Sequence, residues 1–244
     1  MQAIKTINLS KRYKDVLAVD DLNLEVENGE LFALLGVNGA GKTTTIKMLS
    51  TLTAPTSGDA LIGGKSVLTE SDSVKEIIDI SMQETAIARK LTVEENIEFY
   101  ANLNGRTPSE IVRIKERIYD TFGLKPYANK RANKLSGGWQ RKLSIALALT
   151  SEPKVLFLDE PTLGLDVIAR RELWNTIRAL KESTTIILTT HYMEEAEYLA
   201  DRIGVMKEGR LLFVGTKEEL FALTGTSSVE EAFIDLVTTG ENRK

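Results

Sequence analysis

The sequence contains no cysteine and only one histidine. The lack of cysteine excludes disulfides and thiolate metal sites, and it suits a reducing compartment. No apolar run approaches the roughly 18 residues that a membrane-spanning helix needs, and the first ten residues lack the form of a signal peptide. A net charge of −4 supplies no basic field for nucleic acid. We therefore expect a chain that binds no nucleic acid and that would serve any membrane from the cytoplasm, through a partner.

A glycine-rich stretch, GVNGAGKTT at 36–44, is the first feature that carries chemistry. Apolar residues 31–35 predict a buried strand before it, and a helix is predicted from Thr43 onward. Glycines let the backbone turn tightly, so that N–H groups converge on phosphate oxygens at the positive end of that helix. Lys42 would reach the terminal phosphates of ATP, and the Thr43 hydroxyl would bind Mg²⁺. The alternative is a chance glycine-rich turn, but the flanking strand and helix favour a phosphate loop. Its predicted nucleotide-binding residues are Gly36, Asn38, Gly39, Ala40, Gly41, Lys42, Thr43 and Thr44.

Two acids follow a second buried strand, which the sequence predicts at 155–158. Asp159, at the end of a strand beside the phosphate loop, could hold Mg²⁺ through its water shell. Glu160 could then polarise an attacking water as a general base. The alternative is a pair of acids that caps the strand, and the neighbouring phosphate loop favours the chemical role.

The only histidine, His191, follows a third predicted strand at 185–190. A lone histidine more often has a structural role than a chemical one. Here the end of a parallel strand would deliver the side chain to a shared ligand crevice. We therefore predict that His191 positions the γ-phosphate.

The stretch LSGGWQ at 135–140 precedes residues with helical spacing. Together with the motifs above, it makes almost the whole chain similar to the ATP-binding cassette (ABC) family of ATPase domains. In that family the serine and glycine N–H groups of this signature bind the γ-phosphate held by a second subunit, and here these residues are Ser136, Gly137 and Gly138. The resemblance thus implies an ATP-dependent head-to-tail dimer, either a homodimer or a heterodimer with a related ATPase. The alternative is that Ser136 is a plain N-cap of the following helix.

Three further positions take roles from the resemblance. Tyr13 resembles the aromatic residue that stacks on adenine, although a tyrosine in a hairpin is otherwise ordinary. Gln83 resembles the loop glutamine that touches Mg²⁺ or the attacking water and lies at the transporter contact. Asp166 resembles the acid that crosses the dimer interface and links the two sites.

Two residues depart from the family's usual pattern. Trp139 stands in the signature where glutamine is commoner, and Val37 stands in the phosphate loop where proline or glutamate is frequent. Both are tolerable because the contacts there are largely made by the backbone, although Trp139 could alter packing at the dimer face. No chemical position is missing, so we expect a site that can hydrolyse ATP.

The length of 244 residues fits one α/β unit with a helical insert. The resemblance implies a single ABC ATPase domain with a P-loop NTPase fold, in which a RecA-like parallel-sheet core carries an antiparallel β subdomain and an α-helical subdomain. The expected parts are the β subdomain at about 1–30, the core at 31–83 and 151–215, the helical subdomain at 84–150 and a helical tail at 216–244.

Local signals place some of the helices. Thr92 and Glu95 form a capping box that opens one helix, and another is predicted from Ser109, after Pro108. In the tail, apolar residues recur at helical spacing, which favours packing against the domain over a partner surface. This stripe consists of Val229, Ala232, Phe233, Leu236 and Val237.

Four stretches resemble the drug, antibiotic and sodium exporter branch of the family, in which the ATPase is a separate polypeptide paired with a permease. They are GVNGAGKTTTIKML, EPTLGLD, TTHYMEEAEYLADRI and GRLLFVGT. The expected function is that of an ATP-hydrolysing subunit, held at the cytoplasmic face of the membrane by a transmembrane permease that exports a drug, antibiotic, sodium or other small solute.

Two other interpretations remain. One is a soluble ABC ATPase that acts on a macromolecular assembly, such as a ribosome, a DNA-repair complex or a metal-cluster scaffold. Against it, the chain has no long coiled-coil insert between Gln83 and Leu135, and no cysteine for a cluster. The other is an importer subunit, which differs only in transport direction and stays open.

Overall fold

The computed structural model describes residues 2–239, so the last five residues of the predicted tail lie outside the described residues. The strands are β1 (Gln2–Tyr13), β2 (Val16–Leu22), β3 (Glu25–Glu27), β4 (Leu31–Leu35), β5 (Ser57–Ile62), β6 (Lys65–Ser66), β7 (Ile78–Ser81), β8 (Val155–Asp159), β9 (Thr185–Thr190), β10 (Arg202–Lys207) and β11 (Arg210–Gly215). The helices are α1 (Lys42–Leu49), α2 (Ser71–Lys75), α3 (Val93–Leu103), α4 (Pro108–Phe122), α5 (Gly137–Ala148), α6 (Val167–Leu180), α7 (Met193–Leu199), α8 (Lys217–Thr224) and α9 (Val229–Thr239). Among residues 2–239, no helix combines the length and apolar character that crossing a membrane requires.

The main sheet has the order β11-β10-β4-β9-β8-β7, and only β11 runs antiparallel to its neighbour. Strands β4, β8 and β9 are buried along their whole length, which explains their continuous apolar or threonine-rich sequences. In register, Asp159 lies opposite Thr189, and Leu35 lies opposite Thr190. The phosphate-loop stretch, the two acids and His191 therefore leave the sheet at one edge.

A second, antiparallel sheet has the order β2-β1-β5-β6, with β3 paired to β1. Strands β5 and β6 come from within 31–83, the stretch that the sequence assigns to the parallel core, and they pair through β5 with β1. The sequence did not predict this pairing, because the period-2 pattern of a short strand does not indicate which strand it pairs with.

Apolar residues pack on both faces of the main sheet. Along β4, Leu31, Ala33 and Leu35 face one layer, which the helices α3 to α9 cover. Phe32 and Leu34 face the other layer, between the main sheet, the antiparallel sheet and α1. Four members of the predicted tail stripe are buried in the first layer, and Val237 is partly buried against it. The prediction that this stripe packs on the domain is therefore confirmed.

Helix starts follow the capping residues closely. The capping box of Thr92 and Glu95 at α3 is confirmed. Helix α4 begins at Pro108 rather than Ser109, because Thr107 and Glu110 form a capping box around a proline at the first helical position. Helix α1 begins one residue earlier than predicted, at Lys42.

Candidate nucleotide site

The loop between β4 and α1 leaves no room for side chains at two of its glycines. A Cβ at Gly36 would lie 2.5 Å from the carbonyl oxygen of Met206. Gly41 has φ +105°, and a Cβ there would lie 2.4 Å from the carbonyl oxygen of Ala18. Because Gly41 caps α1 without a side chain, the first-turn N–H groups of that helix stay open to an anion. The loop has the backbone shape that phosphate binding needs.

Lys42 is folded back onto this loop. Its Nζ donates hydrogen bonds to the carbonyl oxygens of Gly36 (2.8 Å) and Val37 (3.2 Å), and it lies 3.6 Å from Oε1 of Glu160. Burial lowers the pKa of Lys42, while the charges of Glu160 and Asp159 oppose that shift. The ammonium is thus held where incoming phosphate oxygens would meet it.

Oxygen atoms from two strands meet beside Lys42. The Thr43 hydroxyl donates to both carboxylate oxygens of Asp159, at 3.1 and 3.0 Å, and the Thr189 hydroxyl donates to Oδ1 of Asp159 at 2.6 Å. Within residues 2–239, no group of three or more His, Cys, Asp or Glu side chains could hold a metal alone. The hydroxyl and carboxylate oxygens of Thr43 and Asp159 fit Mg²⁺, which typically binds one or two carboxylates together with substrate phosphates.

Glu160 has φ +46°, a left-handed conformation that is strained for a residue with a Cβ. Its N–H donates to the carbonyl oxygen and to the hydroxyl of Thr189, each at 3.1 Å. Its Oε2 lies 3.2 Å from Nδ1 of His191, but the geometry is not that of a hydrogen bond, and Nδ1 has no hydrogen-bond partner among the described residues. The Glu160 carboxylate is therefore aimed between Lys42 and His191.

These groups line one cleft of about 480 Å³. Its walls are Ala18, Asn38, Gly39, Ala40, Gly41, Lys42, Thr43, Thr44, Gln83, Glu160, Leu163 and His191. Gly36 and Asp159 do not line the cleft themselves. They accept hydrogen bonds from the wall residues Lys42 and Thr43, respectively. Sequence reasoning missed Ala18 and Leu163, because small or apolar side chains carry no chemical signal.

Tyr13 does not belong to the cleft walls. It ends β1 opposite Val16, two residues before the wall residue Ala18, and its side chain is 44% exposed. The Nζ of Lys11 lies 5.1 Å from the centre of its ring. The Tyr13 ring is thus exposed on the β1–β2 hairpin, which also carries the cleft residue Ala18. Its stacking on adenine stays a prediction.

The predicted signature also lies outside the cleft. Ser136 occupies the N-cap position of α5, but its hydroxyl makes no cap hydrogen bond, and both Ser136 and Gly137 are exposed. Ser136 thus holds the N-cap position that the alternative predicts, but its side chain does not supply the capping hydrogen bond. A Cβ at Gly138 would lie 3.1 Å from Cβ of Ala169, so the start of α5 packs against the start of α6.

Asp166 and Trp139 both make contacts within their own chain. Oδ1 of Asp166 accepts hydrogen bonds from the N–H groups of Ile168 (3.0 Å) and Ala169 (2.9 Å), so Asp166 caps α6. The ring centre of Trp139 lies 4.4 Å from that of Tyr127, and Nζ of Lys142 lies 4.3 Å from the Trp139 ring centre. The Trp139 side chain therefore packs against its own helical region.

A buried acid, Glu195, links the stretch that follows β8 to helix α6, and sequence reasoning missed it. Oε1 of Glu195, on α7, accepts hydrogen bonds from the Thr162 hydroxyl (2.8 Å) and from Nε1 of Trp174 (2.9 Å). Burial raises the pKa of Glu195. In the sequence, EEAE gave no signal, because acids on a helix usually lie in solvent.

A phosphate loop after one buried strand, with two acids after another, defines the class of P-loop nucleoside triphosphatases. A model of the ABC transporter family matches residues 19–163, which is more than half of the chain, and the chain belongs to that family. The predicted family and fold class are confirmed.

Curated relatives agree with this assignment. The probable multidrug ABC transporter ATP-binding protein YbhF of Escherichia coli is 39% identical over 96% of this chain. The daunorubicin/doxorubicin resistance ATP-binding protein DrrA of Streptomyces peucetius is 40% identical over 93% of the chain and 69% of its own length. Human phospholipid-transporting ATPase ABCA3 is 42% identical over 87% of the chain. The chain spans only 41% of the length of YbhF and 13% of that of ABCA3.

Solved structures show the same cassette. An ATP-binding subunit of an ABC transporter superposes with a TM-score of 0.85 at 28% identity, over 96% of this chain and 99% of that one. The ATP-binding cassette MJ0796, solved as a dimer in a post-hydrolysis state with ADP and phosphate, gives a TM-score of 0.77 at 25% identity, over 87% of this chain and 98% of that one. The chain is thus an ABC-type ATPase domain, and its fold matches that of a cassette solved as a dimer with ADP and phosphate.

Proposed function

We propose that this chain is the ATP-hydrolysing subunit of an ABC exporter and energises a separate transmembrane permease from the cytoplasmic face of the membrane. The working unit would be a head-to-tail dimer that closes on two ATP molecules. The observation that carries the proposal is the separation of the site into two parts. One cleft gathers Gln83, Glu160 and His191 around the phosphate loop, whereas the uncapped, exposed Ser136 lies outside it.

The residues of the cleft can divide the work of hydrolysis. Lys42 and the loop amides would bind the β- and γ-phosphates, while Thr43 and Asp159 would hold Mg²⁺, which neutralises phosphate charge when bound. Glu160 would take the proton of the attacking water as general base, with Gln83 beside that water. His191 would hold the γ-phosphate, because it lines the same cleft as the loop, and its Nδ1 lies 3.2 Å from Oε2 of Glu160.

A second copy would supply the missing donors. An exposed serine followed by two glycines at a helix start offers N–H groups to an anion, and a hydroxyl that its own helix does not use. The signature of each copy would face the γ-phosphate held by the other, which gives a symmetric dimer with two shared sites. ATP would favour the closed dimer because only that state has these contacts, and loss of the γ-phosphate would reopen it. A permease could use this cycle for alternating access.

The proposed cargo comes from the names of the relatives. Two of the reported names refer to drugs, and one refers to phospholipids. These names favour export of a drug or another amphiphilic small molecule, and the permease rather than this chain would select it.

Affinity purification of the chain from native membranes tests the proposal. The preparation would use mild detergent with ATP and vanadate, and mass spectrometry would identify what copurifies. A stoichiometric multi-helix membrane protein is the expected result, and its identity would separate exporter from importer. Recovery of only ribosomal, repair or assembly factors would contradict the transporter role and leave the ATPase class intact.

A further inference from the structure

The most unusual buried charge outside the predicted site is Arg141, which lies on α5 five residues after Ser136. The side chain is 4% exposed. Within residues 2–239 it has no carboxylate within salt-bridge distance. Burial lowers the pKa of Arg141 to about 10, against the opposing charges of Asp159 and Glu195, so the guanidinium remains charged at neutral pH.

Among residues 2–239, Arg141 donates hydrogen bonds only to backbone carbonyl oxygens. Its Nε donates to Pro161 (2.8 Å) and its Nη2 to Asp159 (3.0 Å), the two residues that flank Glu160. Its Nη1 donates to Met82 and to Gln83 (3.3 Å). A single planar guanidinium thus binds the backbone on both sides of the strained Glu160 and the backbone that follows β7 at Gln83.

Such an arrangement needs a guanidinium. A buried charge without an ion pair is costly unless hydrogen bonds compensate, and four carbonyl oxygens provide that compensation here. Lysine places its three donors on a single atom and cannot span carbonyls on two separate loops. Replacing Arg141 with lysine would therefore keep the positive charge and remove the forked set of donors.

We propose that Arg141 is a positioning residue that couples the two nucleotide sites of the dimer within one chain. The inference rests on the proposed function, in which Ser136–Gly138 face the nucleotide of the partner subunit. The same rigid helix that begins at those residues carries Arg141 into the hydrolytic site of its own chain. Docking of the signature on one nucleotide would thus set the geometry of Glu160 and Gln83 at the other.

The test is steady-state ATP hydrolysis by the full chain and by Arg141→Lys. We expect kcat to fall about 100-fold, as for other small misplacements of catalytic groups. KM for ATP should change less than about threefold, since phosphate binding is retained, and sigmoidal dependence on ATP should be lost. The matched control is Arg113→Lys, at an exposed arginine on α4 whose guanidinium donates to the carboxylate of Glu152 at 3.0 and 2.9 Å. Its kcat and cooperativity should equal those of the parent.

Two outcomes would overturn this role. A folded Arg141→Lys chain with parental kcat and cooperativity, whatever its melting temperature, would show that Arg141 only stabilises the fold. If Arg141→Lys does not fold, Arg141→Gln removes the buried charge and keeps one amide donor, and the same loss of kcat with retained ATP binding is expected of it. A parent chain that hydrolyses ATP without cooperativity would contradict the shared site itself, and so the proposed function as well.

Discussion

Glu160 combines three unusual properties in one residue. Its backbone is left-handed, its carboxylate lies between Lys42 and His191, and Arg141 holds the carbonyl groups on both sides of it. A strained residue held from several directions is typical of a catalytic position. This geometry supports the general-base role that the sequence predicts for it.

Glu160→Gln keeps the shape of the side chain and removes the base. We expect the rate of phosphate release to fall about 1000-fold, within the range that general bases contribute, while ATP binding is retained. Glu194→Gln is the control, because Glu194 is exposed on α7 and lines no part of the cleft. Hydrolysis by Glu160→Gln at the parental rate would disprove the general-base role.

Asp79, on β7, predicts a pH dependence of stability. Burial raises its pKa to about 6, although hydrogen bonds from the Ser151 hydroxyl and the Ile80 N–H oppose the shift. The unfolded carboxyl has a pKa of about 3.9, so the folded state binds the proton more tightly. The stabilisation that comes from this tighter proton binding is fully present below about pH 4 and is lost as the pH rises through about 6.

Asp79→Asn should therefore raise the free energy of unfolding at pH 7.5 by about 2 kcal/mol, and by roughly half as much at pH 5. Urea unfolding of parent and variant at both pH values measures the difference. Asp72→Asn, at an exposed ion pair with Lys75 on α2, is the matched control. An equal effect of Asp79→Asn at both pH values would contradict the argument.

At the scale of elements, α5 differs from the helices that begin with a side-chain cap. The side chains of Thr92, Thr107, Asp166 and Thr216 all accept hydrogen bonds from the helices that they begin, whereas Ser136 does not. Helix α5 nevertheless keeps its place, because its residues from Arg141 to Ala148 are buried on every side. Packing, rather than capping, stabilises this helix.

Ser136→Ala should thus change the free energy of unfolding by less than about 0.5 kcal/mol, yet lower turnover at least about tenfold, because a donor to the γ-phosphate is lost. Thr107→Ala is the comparison, and it should cost about 1 kcal/mol of stability without affecting turnover. Chemical denaturation and ATPase assays measure both. Equal destabilisation by the two changes, with turnover retained in Ser136→Ala, would favour a plain capping role.

The elements that the sequence predicted well are those with a local signal. Continuous apolar runs predicted β4, β8 and β9, and the motif after β4 predicted the loop that the structure shows. The pairing of β5 with β1 could not be predicted, because strand partners are set by distant contacts. The four carbonyl contacts of Arg141 escaped prediction for the same reason, since only folding brings residues 82, 83, 159 and 161 together.

At the scale of the whole molecule, the chain presents two separate surfaces to which the proposed function assigns nucleotide contacts. One is the cleft around the phosphate loop, and the other is the exposed start of α5 beside the start of α6. Next to Asp166, at the start of α6, Val167 and Ile168 are 68% and 74% exposed, an uncommon position for two adjacent apolar side chains. Because Ser136 does not line the cleft of its own copy, the account depends on a second copy.

The most direct test is the mass of the Glu160→Gln chain in solution, measured by light scattering during gel filtration with Mg²⁺ and either ATP or ADP. The account predicts twice the mass of one chain with ATP and the mass of a single chain with ADP. A chain that binds ATP tightly and yet keeps the mass of one copy would contradict the shared nucleotide site.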